Sequence, residues 1–564
     1  MSIYIAITFS PVQSFIEKSR KLRDLFGASL ILSHLSRRLI DILIPDDQNK
    51  DDLVISPGLP TVEKGLPNRI LLKDIFPPEA SDSEIDNQIK TALITAWGTI
   101  LDICKAWIQT NVSELAPYHW DKEWRKWQKC TWEIFWGQGD SIPTAMQQLE
   151  QRKLRRNWTG INWIGESSSL TGTDAIAWQG LGAEDRNAQF INYSQEDRKI
   201  QAFYQELAWI LDGKKTQDKR QTEGKYIAPN ERLNIPELVK RLVTLPELAK
   251  SIQMETLDSG FQDIDRKPTQ TTPGQWTGWF MGDGDKVGDK LIEIADQQGE
   301  SGIKTFTKAL REWGKEFEAN FPKDKGRVIY AGGDDFLGIL YSPDSAHPIP
   351  PLTALDWLIS LPEQWQQHQQ DITLSVGFVW VAGTVPQRDV LQHCREAETQ
   401  AKRLGRNRVT IRVVFNSGQY VQWTCPWHYL EILKQYRDRD NKTHSNWQQS
   451  GQQSEQKPNW NHVYNDLLQL KSRHGFGLCV RDKQALSELG QEIMENRQAV
   501  LEFFDIYFPG QKERIEQNEK KEQDKTKKII VMEDNTKLAD QADAMIHWIS
   551  DLITVGWYFL RNGE

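Results

Sequence analysis

Three short stretches hold charged residues in positions suited to phosphoryl chemistry. In Val328-Ile329-Tyr330-Ala331-Gly332-Gly333-Asp334-Asp335-Phe336-Leu337, two apolar runs flank a Gly-Gly turn with adjacent aspartates at its tip. Side chains alternate across a strand, so at most one of Asp334 and Asp335 points fully at a given metal ion. Gly332 and Gly333 supply positive φ in the turn or let a phosphate approach the backbone closely. Upstream, an apolar run ends in Met281-Gly282-Asp283-Gly284-Asp285-Lys286-Val287-Gly288. Carboxylates from two neighbouring strands can hold divalent ions, Mg²⁺ or Mn²⁺, that bridge a triphosphate and activate an attacking hydroxyl. Downstream, in AETQAKRLGRNRV (397–409), Lys402 and Arg406 lie four apart at a helix end, where cations suit the helix dipole and can reach triphosphate oxygens. Singly, these stretches also read as an acidic hairpin turn, an ordinary β-turn and a solvated basic helix end. Their combination and order point to nucleotide chemistry.

The elements that must position these residues follow from periodicity. Strands are predicted at 278–282, 371–381 and 409–415, and a strand–turn–strand at 327–341. Helices are predicted at about 287–295, at 306–317 and at 388–404, the last with Gly405 as its C′ residue. Strand, acidic turn, helix, second helix and acidic hairpin is the order of a palm-type nucleotidyl-transfer domain.

The rest of the chain is less specific. Residues 3–9 read as a buried strand, with Ser10 as the N-cap and Pro11 in the first turn of a following helix. Ten tryptophans between positions 97 and 178 read as core and subunit-interface packing, because indoles bury large areas. Residues 213–226 are charged and turn-rich, which predicts a loop. Helical periodicity returns at 233–252 around Pro236 and Pro246. Residues 436–458 read as a mobile linker, and the charge run 511–528 as a solvated loop within a helical C-terminus.

The chain has 564 residues, with 69 Lys and Arg against 78 Asp and Glu, a formal net charge of −9. That length suggests several domains. The charge argues against a stand-alone protein that coats nucleic acid, while leaving room for a local basic face. The five cysteines include no CxxC pair, which excludes a zinc ribbon built on paired thiolates and a secreted disulfide scaffold. No 18-residue apolar run and no basic-then-apolar leader occur, so a cytoplasmic protein without membrane attachment is expected.

Taken in order, FSPVQSFIEKSRKLRDLFGASLILSHLS, WEIFWGQG, ERLNIPELVKRL, GDGDKVGDKL, AGGDDF and AKRLGRNRVTI are highly specific as a set. The series resembles the large polymerase-palm subunit of type III-B CRISPR effector (Cmr) complexes, the Cas-ten family in its Cmr form, over residues 1 to about 415. The resemblance implies an α+β protein with two ferredoxin-like (palm or nucleotide-cyclase-like) domains, a helical insertion and a helical C-terminal domain. The implied boundaries are 1–212 for a first palm with the tryptophan-rich insertion and 213–270 for a helical linker domain. Residues 271–418 form the second palm with GGDD, and 419–564 the C-terminal domain.

By the same resemblance the chain is a metal-dependent nucleotidyltransferase. It would convert ATP to cyclic oligoadenylate when target RNA pairs with guide RNA, alongside other Cmr-type subunits. Asp283, Asp334 and Asp335 map to metal-binding catalytic positions. Gly332, Gly333, Lys402 and Arg406 map to nucleotide binding. Ser10 and Gln13 map to the first-palm motif, near a second nucleotide. Two departures stand out: no His-Asp dipeptide occurs, which argues against the family's HD nuclease, and ERLNIPELVKRL lacks the zinc thiols. A non-catalytic scaffold subunit and a free-standing GGDEF-like cyclase are the alternative functions.

Overall fold

The structure, a computed structural model, describes the chain outside residues 1, 46–47, 59–64, 66, 156–164, 184–188, 214–223, 229, 259–260, 262, 265, 269–273, 345, 445–456, 474–489, 532–537 and 562–564. The chain divides into two compact units: Met1–Ile264 with Gly288–Ala319 and Ile329–Gly333, and Asp265–Val287 with Asn320–Val328 and Asp334–Glu564.

In the first unit the β-branched N-terminal run forms β1 (Tyr4–Ser10). It is followed by α1 (Val12–Glu17), α2 (Leu22–Leu43), the single turn α3 (Lys50–Leu53), β2 (Val54–Ser56) and β3 (Arg69–Lys73). Then come α4 (Asp82–Asn111), α5 (Asp121–Cys130), β4 (Glu133–Gly139) and α6 (Ile142–Leu154). The sheet runs β2-β3-β1-β4 with every pair antiparallel, the ferredoxin-like order. The cap expected at Ser10 is not formed. The ladder with β4 continues through Ser10, which pairs with Glu133, and α1 starts at Val12 with Pro11 at its N-cap.

Trp97, Trp120, Trp124, Trp127, Trp136 and Trp178 are buried in this unit, and Trp107 and Trp132 lean on the same core. Trp158 and Trp163 lie outside the described residues, as does most of the loop expected at 213–226. Helix α4 has the length and hydropathy of a membrane span (mean hydropathy 1.2 over 18 residues), but half of that window is buried in the protein.

Among the described residues, three further helices follow in this unit: α7 (Tyr193–Leu211), α8 (Ile235–Leu242) and α9 (Pro246–Ile252). The last two carry their prolines in the first turn, where no backbone donor is needed. Helix α8 delivers a buried basic pair to the elbow between α1 and α2. Arg241 bridges Asp24 (Nε to Oδ1, 2.7 Å) and Glu231 (Nη2 to Oε1, 3.0 Å). Lys240 donates to the carbonyls of Phe15 and of Lys18 (2.9 Å), which end α1.

The second unit is built on a six-stranded sheet, ordered β10-β9-β8-β5-β7-β6. In chain order its strands and the helices between them are β5 (Thr277–Gly284), α10 (Val287–Asn320), β6 (Gly326–Ala331), β7 (Asp335–Leu340) and α11 (Pro351–Gln366), with residues 288–319 and 329–333 counted in the first unit. They continue with β8 (Leu374–Val381), α12 (Gln387–Arg403), β9 (Arg408–Val414) and β10 (Tyr420–Pro426). The run β8-β5-β7-β6 repeats the order β4-β1-β3-β2 of the first sheet, so both palm-like sheets expected from the sequence are present. Strand β9 joins β8 in parallel, and β10 closes the edge as an antiparallel hairpin. That last strand was not expected, and the 418/419 boundary falls in its turn. The two helices expected at 287–295 and 306–317 are both present, within the range labelled α10, and Gly299 with φ 63° separates them.

Among the described residues, four more helices follow: α13 (Asn461–Ser472), α14 (Gly490–Tyr507), α15 (Gln511–Lys521) and α16 (Leu538–Leu560). Alternation along β8 gives the sheet two faces. Phe378 and Trp380 meet Phe559 of α16, at centroid distances of 5.8 and 5.4 Å. Ser375 and Gly377 lie on the opposite side, against α12. The charge run expected as a loop is helical over 511–521, because Ile515 is buried and Arg497 ion-pairs with Glu519. The expected linker is anchored where it is described: Tyr436 stacks on Trp460 at 4.1 Å, and Asp438 accepts the Asn459 N–H at 2.8 Å.

Candidate active site

Strand β5 extends two residues beyond its expected end, and this brings Asp283 into the sheet. There it is the direct cross-strand partner of Asp335, the first residue of β7. Directly opposed residues in an antiparallel pair share one face, with Cβ atoms about 5 Å apart. Asp334 sits in the turn, and its carbonyl accepts the Gly284 N–H at 2.8 Å, tying the hairpin tip to the end of β5. Gly333 has φ 128°, a conformation a side chain would strain, and a Cβ there would meet only Leu310 at 3.8 Å. Both aspartates of the turn are half-buried.

Helix α12 supplies Lys402. It can lie close to β8 because residue 377 is glycine: a Cβ there would come within 2.3 Å of the Cys394 carbonyl. One turn of α12 places Glu398 and Lys402 on the same side, with Nζ 2.6 Å from Oε1 of Glu398. The same ammonium donates to Oδ2 of Asp283. Burial pushes the Asp283 carboxyl above its usual range, and Lys402 only partly offsets it. Glu398 is raised for the same reason. Burial would lower Lys402, but Asp283 and Glu398 outweigh it and hold its pKa above the usual value.

Beyond α12 the chain turns through three successive positive-φ residues, Gly405 (120°), Arg406 (64°) and Asn407 (49°). Asp285 holds this turn. It is 5% exposed and accepts from the Thr373 and Ser375 hydroxyls at 2.7 Å each and from the Asn407 N–H at 2.9 Å. The Arg406 Nε lies 4.0 Å from the same carboxylate, with its side chain 42% exposed.

The structure thus brings Asp283, Asp334, Asp335, Lys402 and Arg406 together, with Gly332 and Gly333 leading into the turn. Ser10 and Gln13 belong to the first unit. Ser10 Oγ lies 3.4 Å from a Glu133 carboxylate oxygen, and Gln13 is exposed on α1. Two contributors were not singled out from sequence, Asp285 and Glu398. The Glu398–Lys402 spacing of four was the available signal for the second; nothing in GDGD separates the half-buried, Lys402-paired Asp283 from the fully buried Asp285.

Among the described residues, no group of three or more His, Cys, Asp or Glu side chains converges as a metal cage. The opposed pair Asp283 and Asp335 nevertheless fits Mg²⁺ or Mn²⁺, because Mg²⁺ is commonly held by one or two carboxylates, with substrate phosphates and water filling the remaining positions. Asp283 already engages a cation, the Lys402 ammonium.

Two family models match the chain. Residues 277–410 match the Cas10/Cmr2 second palm domain, and residues 4–102 match the N-terminal region of the CRISPR-associated protein Cmr2. No curated protein matches. Among solved structures, a type III-B Cmr-beta complex bound to cognate target RNA aligns at 12% identity, covering 88% of this chain and 76% of that one, with a TM-score of 0.49. The apo Cmr-beta complex aligns at 11% identity, covering 77% and 73%, with a TM-score of 0.48. A Csm1-Csm4 cassette in complex with one ATP aligns at 12% identity, covering 99% and 70%, with a TM-score of 0.47.

Proposed function

The chain belongs to the Cas10/Cmr2 family, and from that premise we propose that it is the large subunit of a type III-B CRISPR effector. In this reading it makes cyclic oligoadenylate from ATP when target RNA pairs with the guide RNA. The observation that carries the reading is the register of Asp283 against Asp335, beside two cations, Lys402 at the end of α12 and Arg406 in the turn beyond it. A ribose hydroxyl of one nucleotide attacks the α-phosphate of another; the new P–O bond replaces the bond to pyrophosphate, which leaves. Mg²⁺ or Mn²⁺ held by Asp283, Asp335 and Asp334 would neutralise triphosphate charge. Lys402 and Arg406 bind phosphate oxygens, and Gly332 and Gly333 keep the turn free of side chains where the phosphates approach. Ser10 and Gln13 of the first palm would lie near the second nucleotide. Guide RNA, target RNA and the other Cmr-type subunits are the partners.

The test is to incubate the complex with ATP or with GTP, with and without matching target RNA, and to identify the products. ATP-derived cyclic oligomers that require target RNA are expected. Product from GTP alone and without RNA would favour a free-standing cyclase, and no product under any condition would favour a scaffold.

A further inference from the structure

The turn that carries Arg406 is gripped from two sides. Asp285 holds it from the palm strands, and a distant segment of the C-terminal region, residues 524–531, lies against it from the other side. Gly405 sets how closely the two approach. Its φ is 120°, and a Cβ there would come within 2.9 Å of the Lys525 carbonyl oxygen and 2.8 Å of a Val531 methyl. Arg408, the first residue of β9, joins them. It is 1% exposed, and its guanidinium donates to three backbone carbonyls: Nε to Arg406 at 2.9 Å, and Nη2 to Lys525 at 3.0 Å and to Lys528 at 3.2 Å. Burial lowers its pKa to about 10, so it stays charged at neutral pH. A planar fork of donors fixes the direction as well as the distance of the carbonyls it meets.

The C-terminal segment offers those carbonyls because it is folded on itself. The Asp524 carboxylate accepts the Thr526 N–H at 2.9 Å and its hydroxyl at 2.8 Å. The Asp524 carbonyl accepts the N–H groups of Lys527 (3.0 Å) and Lys528 (3.2 Å). Asn518, near the end of α15, closes the segment. Its Nδ2 donates to the Lys527 carbonyl and its Oδ1 accepts the Ile529 N–H, each at 3.0 Å. Hydrogen bonds thus lead from α15 to the backbone of Arg406.

We propose that Arg408 is a positioning residue for nucleotide binding: it seats the Arg406 turn on residues 525–528, and the C-terminal region thereby sets the affinity for the triphosphate. Arg406 and Asn407 have φ of 64° and 49°, a region that side chains other than glycine's rarely adopt. Such a backbone persists where its surroundings over-determine it. Asp285 constrains the Asn407 N–H, and Arg408 constrains the Arg406 carbonyl. Without Arg408 the turn relaxes, and the Arg406 side chain loses the fixed origin from which it meets a phosphate. The proposal rests on the reading of Arg406 as a phosphate-binding residue.

Steady-state kinetics of the complex activated by target RNA, with ATP varied, test it. Arg408→Met removes the donors at similar length and should raise the KM for ATP about tenfold, with kcat changed about twofold or less, because a ground-state phosphate contact is lost. Asn518→Ala, on α15, should raise KM in the same way by about threefold. Each variant is then repeated in an Arg406→Ala background. With that side chain gone there is nothing left to position, so neither variant should raise KM further. Equal fold-changes in the two backgrounds overturn the proposal, as does an unchanged KM in either variant or a loss confined to kcat. Thermal melts show whether Arg408→Met folds; where it does not, Asn518→Ala decides alone by the same criteria. Wild-type KM in Arg406→Ala overturns the proposal while leaving the chemistry at Asp283 and Asp335 standing. A wild-type complex that makes no product from ATP overturns that chemistry, and this proposal with it.

Discussion

Asp283 and Asp335 face each other across adjacent antiparallel strands, one next to the last residue of β5 and the other beginning β7. They form the last pair of the β5–β7 ladder, so the two carboxylates are held by the sheet rather than by a loop. Replacing both aspartates of the turn, Asp334→Ala with Asp335→Ala, should abolish nucleotide polymerisation while leaving assembly intact, because Phe336 and Leu337 still anchor the hairpin in the core. Product formation by the purified complex, at equal ATP and metal, is the measurement. Wild-type product from the double variant would remove these residues from the chemistry.

Lys402 bridges Asp283 and Glu398, and the two carboxylates place it differently. Lys402→Ala should lower turnover on the order of a hundredfold, through lost triphosphate binding and an uncompensated buried Asp283. Lys402→Arg should rescue little, since a planar fork does not replace a point charge between two carboxylates. Glu398→Gln should instead raise the KM for ATP several-fold with a smaller change in kcat, because it loosens the lysine without removing it. Equal losses in kcat for all three variants would mean that Glu398 does more than position the lysine.

Asp285 acts through the backbone. Asp285→Ala strands two hydroxyls and the Asn407 N–H, and should cost about 3 kcal/mol or more, since each orphaned polar group costs about 1–3 kcal/mol. A thermal melt of the purified chain checks the loss of stability. Nucleotide affinity should fall with it, because the same carboxylate holds the turn that carries Arg406. Unchanged melting would mean that water replaces the carboxylate without penalty.

The sequence exposed the acidic hairpin and the basic helix end because glycine and charge recur there at spacings that only a few backbone shapes accept. It also placed most strands of the second sheet. What it left open depends on contacts between distant segments. Asp283 and Asp285 are chemically identical in GDGD, and only the hydroxyls of Thr373 and Ser375, far along the chain, make Asp285 structural. Residues 511–521 are so charged that they read as solvated, yet Ile515 and the Arg497–Glu519 pair dock them as a helix. Strand β10 escaped because it is an edge strand ending in proline, and the partner that defines it, β9, is already a complete strand in its own right.

Lys240 offers a test of the buried ionic elbow that is independent of nucleotide chemistry. It is 1% exposed, and its ammonium donates to the carbonyls of Phe15 and Lys18, so it holds the segment that carries Ser10 and Gln13. Burial pulls its pKa down from 10.5 to about 8, with Asp24 and Glu237 only partly offsetting the loss of hydration. The native chain thus releases this proton near pH 8, while the unfolded chain keeps it to about 10.5. Between these values the unfolded state binds more protons, so this group's contribution to stability rises with pH, by up to about 1.4 kcal/mol per unit. The neutral amine still has hydrogens for both carbonyls, so the elbow survives deprotonation. Other groups titrate in the same window, and Lys240→Met isolates the effect: from pH 8 to 10 the wild-type chain should gain on the order of 2 kcal/mol relative to the variant. Denaturant unfolding of both chains across that range is the measurement, and parallel stability curves would show that Lys240 does not change its charge there.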